Sequence, residues 1–184
     1  MKRAVLFGLV LILLSGCAAA AREPDELTLV QLLGVDGGDL IELVAVSGSP
    51  DEVARYDCRG GDFLQAREQI RWVGQGTELS LTGVSHLVIG ADVDLKAVLL
   101  AVMEDPDLGA SASVWVATDG AADLLGCCGD PVSDLKLLML SGSTPPTVAR
   151  ALAAIATDGA VVLPCLSEMS GRIEERGSVV WAVE

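Results

Sequence analysis

The stretch LTLVQLLGVDGGDLIELVAVS, Leu27 to Ser47, decides the fold class. Leu27 to Val35 is an almost unbroken apolar run. It is too short for an ordinary helix and suits a strand buried on both faces. Asp36-Gly37-Gly38-Asp39 follows as a tight turn, because paired glycines supply positive φ without steric cost. Leu40 to Ser47 then forms the returning arm of a hairpin. A phosphate-binding loop at Gly37-Gly38 is excluded, since neither a helix nor a Lys-Ser/Thr pair follows it.

Beyond this hairpin, strands and helices alternate. Ser47 to Gly61 reads as a loop by composition. Asp62 caps a helix reaching Trp72, with Phe63, Ala66 and Ile70 on one side. Thr82 to Gly90 is a strand. Asp92 or Asp94 caps the next helix, where Leu95, Val98, Leu99 and Val102 keep helical spacing until Asp105-Pro106 ends it. Ala112 to Ala117 is a strand, and Gly120 to Leu125 a short helix. Val132 to Leu140 is ambiguous, with a helical look. SGSTPP, Ser141 to Pro146, is a linker in which Thr144 can cap a helix begun by Pro145 and ended at Gly159. Two strands starting at Gly159 and Gly177 close the chain. The order predicts an α+β fold: a mixed β-sheet flanked by helices and beginning with a β-hairpin.

The start of the chain carries a separate signal. Lys2 and Arg3 precede the uncharged run AVLFGLVLILL, Ala4 to Leu14, a length of about 7–15 residues typical of a signal peptide and short of the about 20 that a spanning helix needs. Leu14-Ser15-Gly16-Cys17 then matches the lipobox of bacterial lipoproteins. Small residues let the backbone enter a peptidase cleft, and the thiol carries a diacylglycerol. The expectation is a signal peptide over residues 1–16 and lipidation of Cys17, with acyl chains such as palmitate holding the protein on a membrane. Residues 17–26 become a polar tether. An uncleaved anchor or a plain secretory peptide are the alternatives. Residues 27–184 make one globular domain.

Cleavage removes two of the 12 basic side chains and none of the 26 acidic ones, leaving 168 residues with a formal charge of −16. That balance disfavours nucleic acid, which needs a basic face, and disfavours a polybasic contact with anionic lipid. Four cysteines remain: Cys58, Cys127, Cys128 and Cys165. Outside the cytoplasm an even number permits disulfides. A bond between the neighbours Cys127 and Cys128 would be strained, and a bridge from one of them to Cys58 or Cys165 is open. Reduced, partly buried thiols are the plainer alternative. With no CxxC and one histidine, no metal site is expected, and nothing calls for a cofactor.

No catalytic constellation emerges. His86 is the only histidine and sits in a strand pattern beside Ser85. Neighbours on a strand point to opposite faces, and no GxSxG is present. Asp105 and Asp107 are too few oxygens for a calcium loop and more simply end a helix. Asp123 and Asp130 lie near the cysteine pair without an identifiable reaction. Trp72, Trp115 and Trp181 are candidate core anchors.

Taken in order, these segments resemble the C-subunit lipoproteins of spore nutrient-germinant receptors, the Ger(x)C family. Arg22, Glu23 and Leu27 are similar to that family's segment after its lipidated cysteine, and Gly34-Val35-Asp36 to its strand ending before a turn. GDFLQAREQI is similar to a family helix. LTGVSHLVIGADV resembles its histidine-containing strand, with His86 near the histidine and Gly90 at the strand end. DLKAVLLAVMEDPDLGASASVWVATDGAADLL resembles a helix, break, strand and helix, although Glu104 stands where the family prefers a basic residue. GSVVWAVE is similar to a later strand. The likeness covers most of residues 17–140. Family members continue into further domains, so the chain resembles their N-terminal domain.

The resemblance implies a non-enzymatic, lipid-anchored receptor subunit on the outer face of the spore inner membrane. It would dock to membrane-embedded subunits that respond to small nutrients. Cys17 is the one functional position it transfers. The other expectations are an extracytoplasmic small-molecule-binding surface lipoprotein and, last, a hydrolase using His86.

Overall fold

The computed structural model describes residues 27–49, 52–73 and 78–182. The signal segment, Cys17 and the tether to residue 26 lie outside the described residues. The domain is α+β, as the order of elements predicts. Among the described residues nine strands form two sheets: β1 (Leu27–Leu29), β2 (Leu32–Asp36), β3 (Ile41–Ser49), β4 (Glu52–Gly60), β5 (Glu78–Ser80), β6 (His86–Gly90), β7 (Ser113–Ala117), β8 (Ala160–Met169) and β9 (Arg172–Ala182). Seven of them run in the order β4-β3-β2-β6-β7-β8-β9. β2, β6, β7 and β8 are mutually parallel, and β3, β4 and β9 run antiparallel to their neighbours. β1 and β5 make a separate parallel pair.

Five helices cover the large sheet: α1 (Phe63–Ile70), α2 (Leu95–Glu104), α3 (Ala121–Cys127), α4 (Pro131–Leu140) and α5 (Val148–Asp158). Apolar residues of α1, α2 and α5 pack on one face with Val35, Ile89, Val114 and Leu163. Those of α3 and α4 pack on the other with Leu32, Val88, Trp115 and Leu166. Side chains alternate along each strand, so β2, β6 and β7 feed both layers and must be apolar throughout. β6 and β7 are buried at every position.

Several boundaries differ from the sequence reading, each for a physical reason. The Leu27–Val35 run is two strands. It breaks where the Gln31 carbonyl accepts from Ser85 and His86 N–H instead of continuing one ladder. The presumed loop from Ser47 to Gly61 is mostly strand: β3 extends to Ser49 and pairs with β4 over nine positions. β4 is an edge strand whose Arg55, Asp57 and Arg59 face solvent while Tyr56 and Cys58 pack inward. Its polar half made it resemble a loop. The strand expected from Thr82 begins at His86, after a short 3₁₀ turn over Leu81–Gly83.

Val132–Leu140 is helical, with Asp130 capping through Ser133 N–H and Pro131 in the first turn. Thr147, not Thr144, caps α5. The helix does not begin at Pro145, because the next residue, Pro146, is held outside it with its carbonyl accepting from Val114 N–H, in a short bridge across the end of β7. The last strand begins at Arg172, five residues before Gly177. Ser170 and Gly171, both at positive φ, turn the β8–β9 hairpin, and Gly177 sits in a bulge opposite Cys165.

One buried ionic cluster ties the helices of the first layer together. Arg67 on α1 meets Asp105 at the end of α2, Nε–Oδ2 2.6 Å and Nη2–Oδ1 2.9 Å, and also Asp107 and Glu68. Arg71, one turn on, reaches Glu78 of β5 at 2.9 Å. Burial opposes the Arg67 charge, but Asp105 and Glu68 outweigh it and raise its pKa. Asp105 therefore ends α2, as expected, and also holds α1 against it. Removing one partner strands a buried charge. Arg67→Met should lower unfolding free energy by about 3–5 kcal/mol in urea denaturation, and Arg67→Met with Asp105→Leu should recover part of the loss.

Candidate functional site

The carboxyl ends of β6 and β7 are where the chain departs to opposite faces. After β6 it turns to α2 on one side of the sheet, and after β7 to α3 on the other. Beside the end of β7 lies an open crevice of about 420 Å³, lined by Ala91, Val116, Thr118 and Cys165 and by Val179, Val180, Trp181 and Ala182 of β9. Its walls are mainly apolar. The Thr118 hydroxyl is within hydrogen-bond reach of the Leu166 carbonyl and the Asp119 carboxylate, at 3.3 and 3.2 Å. Burial, and then Asp119, raise the Cys165 pKa, so the group facing the crevice is a neutral thiol at neutral pH. The arrangement can hold a small apolar group by contact.

What sets the shape of this end of the sheet is Gly34-Val35-Asp36. The Asp36 carboxylate accepts from Ala121 N–H at 2.7 Å and Ala122 N–H at 2.6 Å, capping α3 from another element. α3 has no side-chain cap of its own, since its N-cap residue is Gly120 at φ +98°. A β-carbon at Gly90 would lie 2.0 Å from Asp36 Oδ1, so the end of β6 must be bare for the carboxylate to pass. A β-carbon at Gly34 would lie 2.7 Å from Leu125 Cδ1, so β2 must be bare for α3 to lie down on it. Val35, between them, points into the opposite core. Sequence reading placed Asp36 in a turn. Its partners are 85 and 86 residues away, and no local spacing signals them.

The residues singled out in the sequence are dispersed. His86 is buried in the α3/α4 layer, where its Nδ1 accepts from Trp115 Nε1 at 3.4 Å and the rings stand 6.3 Å apart. Burial, helped by Lys136, lowers its pKa to about 4. The exposed Ser85 donates instead to the Gln31 carbonyl. Asp123 and Asp130 serve the starts of α3 and α4. Trp115 is a core anchor with no exposed surface, whereas Trp72 is 63% exposed and Trp181 half-buried at the crevice.

All four cysteines among the described residues are free. Cys58 and Cys165 are five strand spacings apart, roughly 24 Å, far beyond the reach of a disulfide. Cys128 packs on the opposite face of the sheet from Cys165. Burial raises Cys58 and Cys128 to about 11. Cys58 donates to the Ala66 carbonyl at 2.9 Å. Among the described residues no group of three or more His, Cys, Asp and Glu side chains is arranged to hold a metal, and no helix is long and apolar enough to cross a membrane. The chain matches no protein-family model, no curated protein and no solved structure.

Asp36→Ala should cost about 2–3 kcal/mol, because two N–H groups lose a charged acceptor. Gly90→Ala should cost a similar amount by displacing that carboxylate. In the Asp36→Ala background Gly90→Ala should cost much less. A double-mutant cycle by chemical denaturation reads the coupling, and additive effects would mean the two positions act separately.

His86 supplies the pH dependence. Its folded pKa is depressed, so its contribution is complete above the unfolded value near 6.5 and is lost as pH falls towards 4. The loss should reach roughly 3 kcal/mol. His86→Gln should flatten the stability profile between pH 6.5 and pH 4.5 relative to the unsubstituted chain.

Proposed function

We propose that the protein is a lipid-anchored, non-enzymatic subunit of a spore nutrient-germinant receptor. Acyl chains at Cys17 hold it on the outer face of the spore inner membrane, where it docks to membrane-embedded subunits and acts in germination by contact. The observation that carries this reading is the junction at Asp36. Segments that supply the resemblance, Gly34-Val35-Asp36, the strand ending at Gly90 and the helix after Gly120, meet there within hydrogen-bond or van der Waals distance. Motifs of such low individual specificity gain weight when one carboxylate explains their order and their glycines.

The lipobox supports the same reading at the level of attachment. An acidic domain lacks the charge to hold an anionic membrane, so the anchor must be covalent. Two acyl chains give stable attachment where one gives marginal binding.

The crevice favours a second reading, an extracytoplasmic small-molecule-binding lipoprotein. Its volume lies within the range of ligand pockets, about 300–1,000 Å³, and its position suits a small ligand.

The deciding experiment isolates the protein from spore membranes in mild detergent. Co-purification of a multi-pass membrane subunit, together with release of Cys17→Ala into the soluble fraction, is expected. The same preparation, titrated calorimetrically with amino acids, should give no heat of tight binding. A protein that stays in the membrane as Cys17→Ala, or that comes out of wild-type membranes with no membrane-embedded partner, would overturn the receptor reading. Micromolar binding to the isolated chain would move the assignment to the second.

A further inference from the structure

α4 shows solvent the reverse of what a surface helix usually shows. Its outward row is Ser133, Lys136, Leu137 and Leu140, at helical spacing, with Met139 beside it. Leu137 is 54% exposed, Met139 43% and Leu140 84%. Three large apolar side chains at one end of a helix are the makings of a buried stripe, and the described residues leave them uncovered.

The row also differs in charge from the chain as a whole. The chain has 26 acidic side chains, yet this face carries none. The one acid of α4, Asp134, is buried and accepts from Ile173 N–H at 2.9 Å. Its one base, Lys136, is exposed. Carboxylates begin at the rim, with Asp130 before the helix and Glu175, which Ser143 meets after it.

A contact ties this face to the start of the domain. Lys136 Nζ donates to Gln31 Oε1 at 3.2 Å. The four residues from Leu27 to Gln31 reach at most about 13–14 Å. From Lys136 to Leu140 the helix advances about 6 Å. The exposed row therefore lies near the point where the chain runs back towards Cys17.

We propose that the end of α4 rests in the interfacial layer of the bilayer, with Leu137, Met139 and Leu140 among the upper acyl carbons and Lys136 at the lipid phosphates. The inference rests on the anchoring proposed at Cys17, which keeps a bilayer within reach of this face. A lysine stem lies along apolar surface while its ammonium stays with the headgroups. A second copy would bring its own carboxylate rim against this one, whereas a bilayer offers an apolar layer beneath phosphates, in the order that the leucines and the lysine require. The contact is too small to hold the protein, which the acyl chains do. It sets orientation, turning the layer of α1, α2 and α5 away from the membrane.

The test uses the full lipidated chain in phosphatidylcholine vesicles whose acyl chains carry bromine, a contact quencher of tryptophan. Leu140→Trp is compared with Leu100→Trp, at a 44% exposed leucine on α2 across the sheet. Both sites are exposed, so neither substitution disturbs the core. After subtraction of the unsubstituted chain, the emission added at position 140 should shift to the blue and be mostly lost in brominated vesicles. That added at position 100 should keep its wavelength and intensity. Flotation with the vesicles reports the anchoring separately. A chain that does not float with them would sink the anchoring and this inference together. A floating chain quenched equally at both positions, or at neither, would overturn this inference alone. Emission at position 140 that ignores brominated lipid but shifts to the blue in membranes holding the multi-pass subunits would overturn it too, and give the face to a protein.

Discussion

One carboxylate governs the architecture at the end of the sheet where β2, β6 and β7 finish. α3 is seven residues long, too short to be stable by its own hydrogen bonds. It begins at a glycine, with no side chain to receive its first N–H groups. Asp36 receives two of them from the end of β2 and places negative charge at the positive end of the helix dipole. Once α3 is anchored there, the chain leaving β7 is committed to the face opposite α2. Gly34, Gly90 and Gly120 are the steric conditions for the same contact. Three glycines and one aspartate, spread over 87 positions, thus express a single constraint.

This constraint also marks the limit of what the sequence discloses. Periodicity revealed the first hairpin, α1 with its Asp62 cap, α2, and the α+β class, because each is written in neighbouring residues. The edge strand β4 was missed because half of its side chains are solvent-facing charges and the pairing that makes it a strand is backbone pairing with β3. The start of α5 was misplaced by three residues because Pro146 is held by Val114, a contact made across the sheet. At the candidate site, Cys165 and Trp181 were visible as residue types but not as neighbours of Thr118, since three different strands deliver them. His86 drew notice as the only histidine, and its environment explains it without chemistry: a depressed pKa in an apolar layer beside Trp115.

The polar groups inside the domain follow a consistent pattern. Arg67 with Asp105, His86 with Trp115, and Asp134, whose carboxylate accepts from Ile173 N–H at 2.9 Å, each join elements distant in the chain. Such contacts add little net stability over a well-packed apolar alternative, but a half-satisfied version is costly. They therefore penalise wrong packings of helices against the sheet. In a fold with apolar residues on both faces of its central strands, that penalty is informative. Apolar burial alone would tolerate several placements of α1, α2 and α4.

The proposed anchoring and the surface charge bear on each other. Under the anchoring proposed at Cys17, ten residues reach at most about 33–36 Å, which would keep the domain close to the bilayer surface. Confinement of that kind would raise the effective concentration of membrane-bound partners. A surface dominated by carboxylates limits where such contacts can form. It repels anionic lipid headgroups and other acidic domains over distances set by the Debye length, about 8 Å at physiological ionic strength. Only surfaces without charge, or partners with a basic face, come closer than that. Exposed apolar side chains lie at strand edges in two places on the described surface, Val180 on β9 and Leu27 and Leu29 on β1. Contact by shape is favoured at such edges, and contact by charge over the acidic remainder.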